Sequence, residues 1–245
     1  MKHLHKRLSV FLFVLLIFIS CTDSQKKEID LNKLVSPNYQ FSKHFFNCDI
    51  NPNSSLIELE SFFSNFLSLH ASRFDENQSM NVLFLNSENL SEFIISLKNY
   101  NDNILIDLIS DLKKVGIENI ASCNFFTKSL NGISLGAYKK EFGQINQIEI
   151  LKCNYINNFN YGSFRISFDK YENLLNKLSI PVSSEYLQTD NSSDFFWINY
   201  YYNEDYEIQI INDWFSNKEA SEIKDEFLNS ASCIESKIYD LYNLI

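Results

Sequence analysis

Glycine and proline are scarce: five glycines and three prolines stand among 245 residues. A phosphate-cradling loop needs glycines where the backbone must approach the ligand closely. Neither Gly-x-Gly-x-x-Gly nor a Walker loop occurs, which argues against nucleotide chemistry. No His-Glu-x-x-His is present, and no cysteine pair has C-x-x-C spacing. Zinc and thioredoxin-type sites are therefore not indicated, and no cofactor is implied. Basic charge is also short, with 21 Lys and Arg against 31 Asp and Glu. No Lys/Arg stripe offsets that balance, so a nucleic-acid partner is not expected. Long apolar runs are missing as well: Val10 to Ile19 falls short of the roughly 20 apolar residues of a spanning helix.

What remains is an apolar fraction of 45%, ample for a packed core, and five cysteines. Lys2, Lys6 and Arg7 precede the apolar run, and Ser20 precedes Cys21. This segment resembles a bacterial lipoprotein signal, although Phe18 stands where an aliphatic residue is usual. The resemblance implies cleavage after residue 20, acylation of Cys21, and attachment to the membrane through that lipid. Thr22, rather than an aspartate, follows the cysteine and favours outer-membrane delivery within a bacterial cell envelope. A plain secretory signal or an uncleaved anchor is the alternative. Loss of residues 1–20 removes three of the 21 basic residues and no acid, so 18 against 31 gives a net charge of −13. Residues 21–41 are mostly polar and suit a tether.

With Cys21 acylated, four cysteines are left in an oxidising compartment, and four allow three pairings. Cys123 and Cys233 both end an Ala-Ser-Cys tripeptide, and Cys48 and Cys153 both sit in strand-like runs. Val82 to Asn86 compares with Phe195 to Asn199, in the same order before Ala-Ser-Cys. The parallel predicts an internal duplication, residues 42–143 and 144–245, with Gly132, Gly136 and Gly143 marking the junction. Duplication favours Cys48 with Cys123 and Cys153 with Cys233, one bridge per half. Four free buried thiols are the alternative.

Capping patterns at Ser55 to Glu58 and Ser216 to Glu219 predict helix starts, and Gly116 predicts a stop after a helix from about Ile104 to Val115. Final strands are expected at Asn124 to Leu130 and Ile234 to Leu241. Each half then reads in βαββαβ order, and the fold class is α+β: two tandem ferredoxin-like halves. Fused in one chain, they resemble the dimeric α/β-barrel superfamily written as a pseudo-dimer.

Two histidines follow the leader, His44 and His70, and the plainer role for each is packing or surface. Trp197, Asn199 and Tyr201 alternate along one strand and share a face, while Phe196, Ile198 and Tyr200 share the other. These five, Trp197, Asn199, Tyr201, His44 and His70, are the candidate ligand-binding residues, with core packing as the plainer reading. Asp190, Asp194, Glu204 and Asp205 read as a solvated rim rather than a calcium loop. No catalytic residue is indicated. The sequence thus favours a non-enzymatic envelope lipoprotein that binds a small apolar molecule or an envelope partner. The alternative, implied by the barrel resemblance, is a cofactor-free monooxygenase-like enzyme.

Overall fold

The computed structural model describes residues 37–86, 90–135, 145, 147–156, 158–189, 192–202 and 210–245. The leader, Cys21, most of the tether, Gly136, Gly143, Asp190, Glu204 and Asp205 lie outside the described residues.

The chain opens with β1 (Phe41–Ile50), whose alternating apolar pattern suits a strand buried on both faces. Next comes α1 (Leu56–His70), started by the expected capping box: Ser55 N–H donates to Glu58 at 2.8 Å and Glu58 N–H to the Ser55 hydroxyl at 3.3 Å. The hairpin β2 (Ser79–Leu85) and β3 (Glu92–Lys98) leads to α2 (Asp102–Val115). Asn101 caps α2 by accepting from Ile104 N–H at 3.0 Å, and Gly116 ends it with φ of 104°, a left-handed conformation that favours glycine. A short α3 (Ile117–Ile120), β4 (Ala121–Cys123) and β5 (Leu130–Ser134) follow. The second stretch carries β6 (Gln147–Tyr155), α4 (Tyr161–Leu178), β7 (Val182–Gln188), β8 (Asp194–Tyr201), a π turn (Ile210–Trp214), α5 (Lys218–Ser230) and β9 (Ala231–Asn243). Asn217, not Ser216, caps α5, accepting from Glu219 N–H at 2.8 Å.

All strand pairings are antiparallel, and they form a circuit. β1 pairs β3, β3 pairs β2, β2 pairs β9, and β9 pairs β6. From β6 the order runs to β8, β7 and β5, and β5 returns to β1. The sheet is therefore a closed barrel, with β4 extending the far end of β1. Closure leaves no continuous edge and creates an interior that both halves line.

Two expected strand placements change. The run Val82 to Asn86 belongs to the second strand of its half, while the strand holding Phe195 is the third of its own. In register, Cys48 lies opposite Phe93 and Cys123, and Cys153 lies opposite Phe195 and Cys233. Residues 124–130, expected as one strand, instead bridge β4 and β5. Both favoured cysteine pairs are disulfides, Cys48–Cys123 across 75 residues and Cys153–Cys233 across 80.

Apolar burial falls into layers. Phe46, Phe66, Leu97 and Leu112 represent the packing of α1 and α2 on one part of the barrel wall. Phe164, Phe168, Phe195 and Phe227 do the same for α4 and α5. The barrel interior holds a third cluster with contributions from both halves, among them Leu83, Ile148, Leu187 and Ile198.

Candidate functional site

The interior cluster is interrupted by charge. Lys43 sits between Phe41 and Phe45 on the inward face of β1, and Glu185 sits between Ser183 and Leu187 on β7. Lys43 is 4% exposed and Glu185 6%. The Lys43 Nζ donates to Glu185 Oε2 at 2.6 Å and also to the Tyr200 hydroxyl. Tyr200 donates to the same Oε2 at 2.6 Å, and Lys98 Nζ donates to Oε1 at 2.7 Å. Lys98 also lies 3.9 Å from the ring centroid of Phe41, a cation–π contact. One carboxylate from the second half thus gathers two ammonium groups from the first. Beside them the Ser183 and Tyr202 hydroxyls share a hydrogen bond.

Lys43, Lys98, Ser183, Glu185, Tyr200 and Tyr202 line a cavity of about 660 Å³, within the size range of small-molecule sites. Asn81, Asn243 and Leu241 extend its wall, and Glu76 stands exposed at its rim. Two neighbouring ammonium groups hold the Glu185 carboxyl well below the usual carboxylate range, to about 2, despite burial. Burial pushes the Lys43 amine down against that attraction and pushes the Tyr200 phenol well up, so Tyr200 stays a neutral donor. A buried ion cluster contributes little net stability compared with a packed apolar core. Its place in a cavity marks it as a site candidate.

The residues singled out from sequence are not brought together. Trp197, Asn199 and Tyr201 do share a face, but it is the face under the helices, not the cavity. The Trp197 ring is surrounded by Phe164, Phe168, Tyr171 and Phe227, with centroids 4.9 to 5.7 Å away. Asn199 donates to Glu149 at 3.0 Å and accepts from Ser184 at 2.7 Å, and Tyr201 donates to Glu149 at 2.7 Å. Glu149 also accepts from Ser236, so this is a satisfied network linking β6, β7, β8 and β9. His44 is 2% exposed, stacks on Phe46, and is kept neutral by burial, with neither ring nitrogen in a well-formed hydrogen bond. The His70 ring is tilted against Phe66, with centroids 4.8 Å apart, and lies by Arg73 and Asp111 in a pocket of about 150 Å³.

Lys43, Lys98, Glu185 and Tyr200 were missed by sequence reasoning. The signal was present as alternation: Phe41-Lys43-Phe45 and Glu185-Leu187 each place a charge in line with apolar residues two positions away. Phe196, Ile198 and Tyr200, set aside as the opposite face, point inward.

No family model matches the chain, and no curated protein is similar to it in sequence. Solved structures do share its shape. A mutant chlorite dismutase from Candidatus Nitrospira defluvii superposes with a TM-score of 0.55 at 6% identity, over 87% of this chain and 96% of that one. A haem-binding protein from Thermus thermophilus gives 0.51 at 8% identity, over 86% and 95%. A Fusobacterium nucleatum protein provisionally named a monooxygenase gives 0.52 at 9% identity, over 85% and 94%. The fold is thus of the ferredoxin-type dimeric α/β-barrel kind, similar to that of the chlorite dismutases. These neighbours overturn the expectation of a non-enzymatic envelope module. The cavity gives the physical reason: it is polar and charged, where a docking site for an apolar molecule would be a shaped apolar surface.

Haem is the group that such neighbours raise, and its fit can be judged from the donors. Haem iron is held by His, Cys, Met or Tyr side chains. No His, Cys or Met lines the cavity, and its tyrosines are engaged with Glu185 and Ser183. Among the described residues there is likewise no cluster of three metal-ligating side chains. The residues present do not fit haem.

Proposed function

We propose that the chain is an envelope enzyme made of two ferredoxin-like repeats, anchored by lipid on Cys21, that acts on a small molecule in the barrel cavity. The shared register of Cys48 with Phe93 and Cys123, and of Cys153 with Phe195 and Cys233, supports the repeat. The single observation that carries the catalytic reading is the Lys43–Glu185–Lys98 cluster, with Tyr200, at the wall of a cavity shared by both halves. The reading that best suits this cluster is a monooxygenase-like enzyme working without a bound cofactor on a phenol or enol. Such a substrate becomes electron-rich when its hydroxyl gives its proton to solvent, nearby ammonium groups stabilise the resulting oxyanion, and the substrate itself supplies the electrons that reduce oxygen. Two ammonium groups against one carboxylate leave positive charge in excess at the inner wall, while the Tyr200 and Tyr202 hydroxyls supply orienting hydrogen bonds.

Oxygen uptake with a panel of electron-rich phenols and enols tests this. Turnover by the wild-type chain that falls at least tenfold in Glu185→Gln is expected, because burial favours the uncharged Lys43 amine once its counter-ion is gone. Turnover that the cavity substitutions leave unchanged would place the chemistry elsewhere.

A further inference from the structure

The misfit with haem reaches beyond the cavity, because the histidines and methionines can be followed through the sequence and the barrel's cysteines through their disulfides. No histidine occurs after His70, and the two that precede His44 lie in the leader. Cys48, Cys123, Cys153 and Cys233 are spent in disulfides. Met80, the only methionine besides Met1, is fully buried in the layer under α1 and α2. His44 lies in that same layer, in line with Phe46 and Leu97, and lines none of the described cavities.

His70 does face a pocket, but its volume of about 150 Å³ is small beside the roughly 300–1,000 Å³ of drug-sized ligand sites. A tetrapyrrole is larger than most of those ligands. The Asp111 carboxylate, bridged to Arg73 and Lys114, puts charge beside the apolar wall of Phe66, Phe74 and Leu108 in that pocket.

A flat macrocycle between the barrel wall and α4 and α5 would have to enter the space around Trp197. That ring is edge-on to Phe164, Phe168 and Tyr171 and tilted against Phe227. Tyr171 extends this packing to Trp214 at 5.1 Å. Ring-on-ring packing at such distances leaves no slot, and opening one would expose several large aromatic side chains.

We infer that this chain takes no haem, although a haem-binding protein shares its fold. The inference does not depend on which substrate the cavity accepts.

The test is a hemin titration of the purified full chain, followed by absorbance in the Soret region, with haem content measured after expression in precursor-fed cells. A free-hemin spectrum without a saturating endpoint, and haem far below one per chain, is expected. His44→Gln and His70→Gln should leave that result unchanged. A saturable complex of one haem per chain with an axial-ligand spectrum, abolished by either substitution, would overturn the inference. Oxygen uptake by the haem-free protein separates the two readings. Uptake that hemin does not raise agrees with the inference, whereas uptake appearing only in a stoichiometric haem complex refutes it and leaves the role of the cavity to the Glu185→Gln comparison.

Discussion

Glu185 ties β7 to β1 and β3, because among the described residues it is the carboxylate that pairs with both Lys43 and Lys98. Glu185→Gln leaves the Lys43 ammonium buried without its counter-ion, and a loss of about 3–5 kcal/mol is expected in urea unfolding. Replacing both partners, Lys43→Met with Glu185→Met, removes the charge together with its desolvation cost and should be near neutral. The pH dependence has a definite sign. The folded Glu185 pKa is depressed from 4.5 to about 2, so its contribution is complete above pH 4.5 and fades as pH falls toward 2. That shift corresponds to roughly 3 kcal/mol, and unfolding free energy measured across this window should flatten in Glu185→Gln. Sequence reading found none of this cluster. A lysine and a glutamate 142 residues apart carry no local mark of pairing, and only the closed barrel brings them to 2.6 Å.

At the scale of elements, helices were far more legible than strands. Ser55, Asn101, Asn160 and Asn217 mark helix starts through side-chain caps that act over three residues, and Gly116 marks a stop. Strand order has no such local code, which is why Val82 to Asn86 was matched to the wrong partner and β3 was overlooked. The break between β4 and β5 is also set by distant neighbours, since β4 pairs only with β1 while β5 also meets β7. Gly132 belongs to that crossing: a Cβ there would come within 2.1 Å of the Phe41 ring and 2.6 Å of Leu187. Gly132→Ala should cost about 1–3 kcal/mol by overpacking and should move Phe41 from beneath Lys98. Trp197→Ala, in the aromatic layer under α4 and α5, should cost about 3–5 kcal/mol. Thermal unfolding of each variant checks both values.

For the whole molecule, closure of the barrel and the two disulfides act together. Each bridge closes a loop of 75 or 80 residues, for which the chain-entropy account gives roughly 4–5 kcal/mol. Reduction should therefore lower the unfolding midpoint in two separable steps, resolved by replacing one pair at a time with serine. Mass spectrometry of the mature N-terminus tests the anchor: an acylated Cys21 is expected, and any other start contradicts it. The duplicated cysteines and the helix periodicity made the barrel class readable from sequence. Its interior was not readable, because inward and helix-facing sides of a strand look alike until closure decides which is which. The most direct test is oxygen uptake by the Lys43→Met, Glu185→Met paired variant beside Trp197→Phe, with phenol and enol substrates and folded protein in both cases. The account predicts that the paired variant loses turnover while Trp197→Phe keeps it, and equal turnover in the two would contradict a site in the barrel cavity.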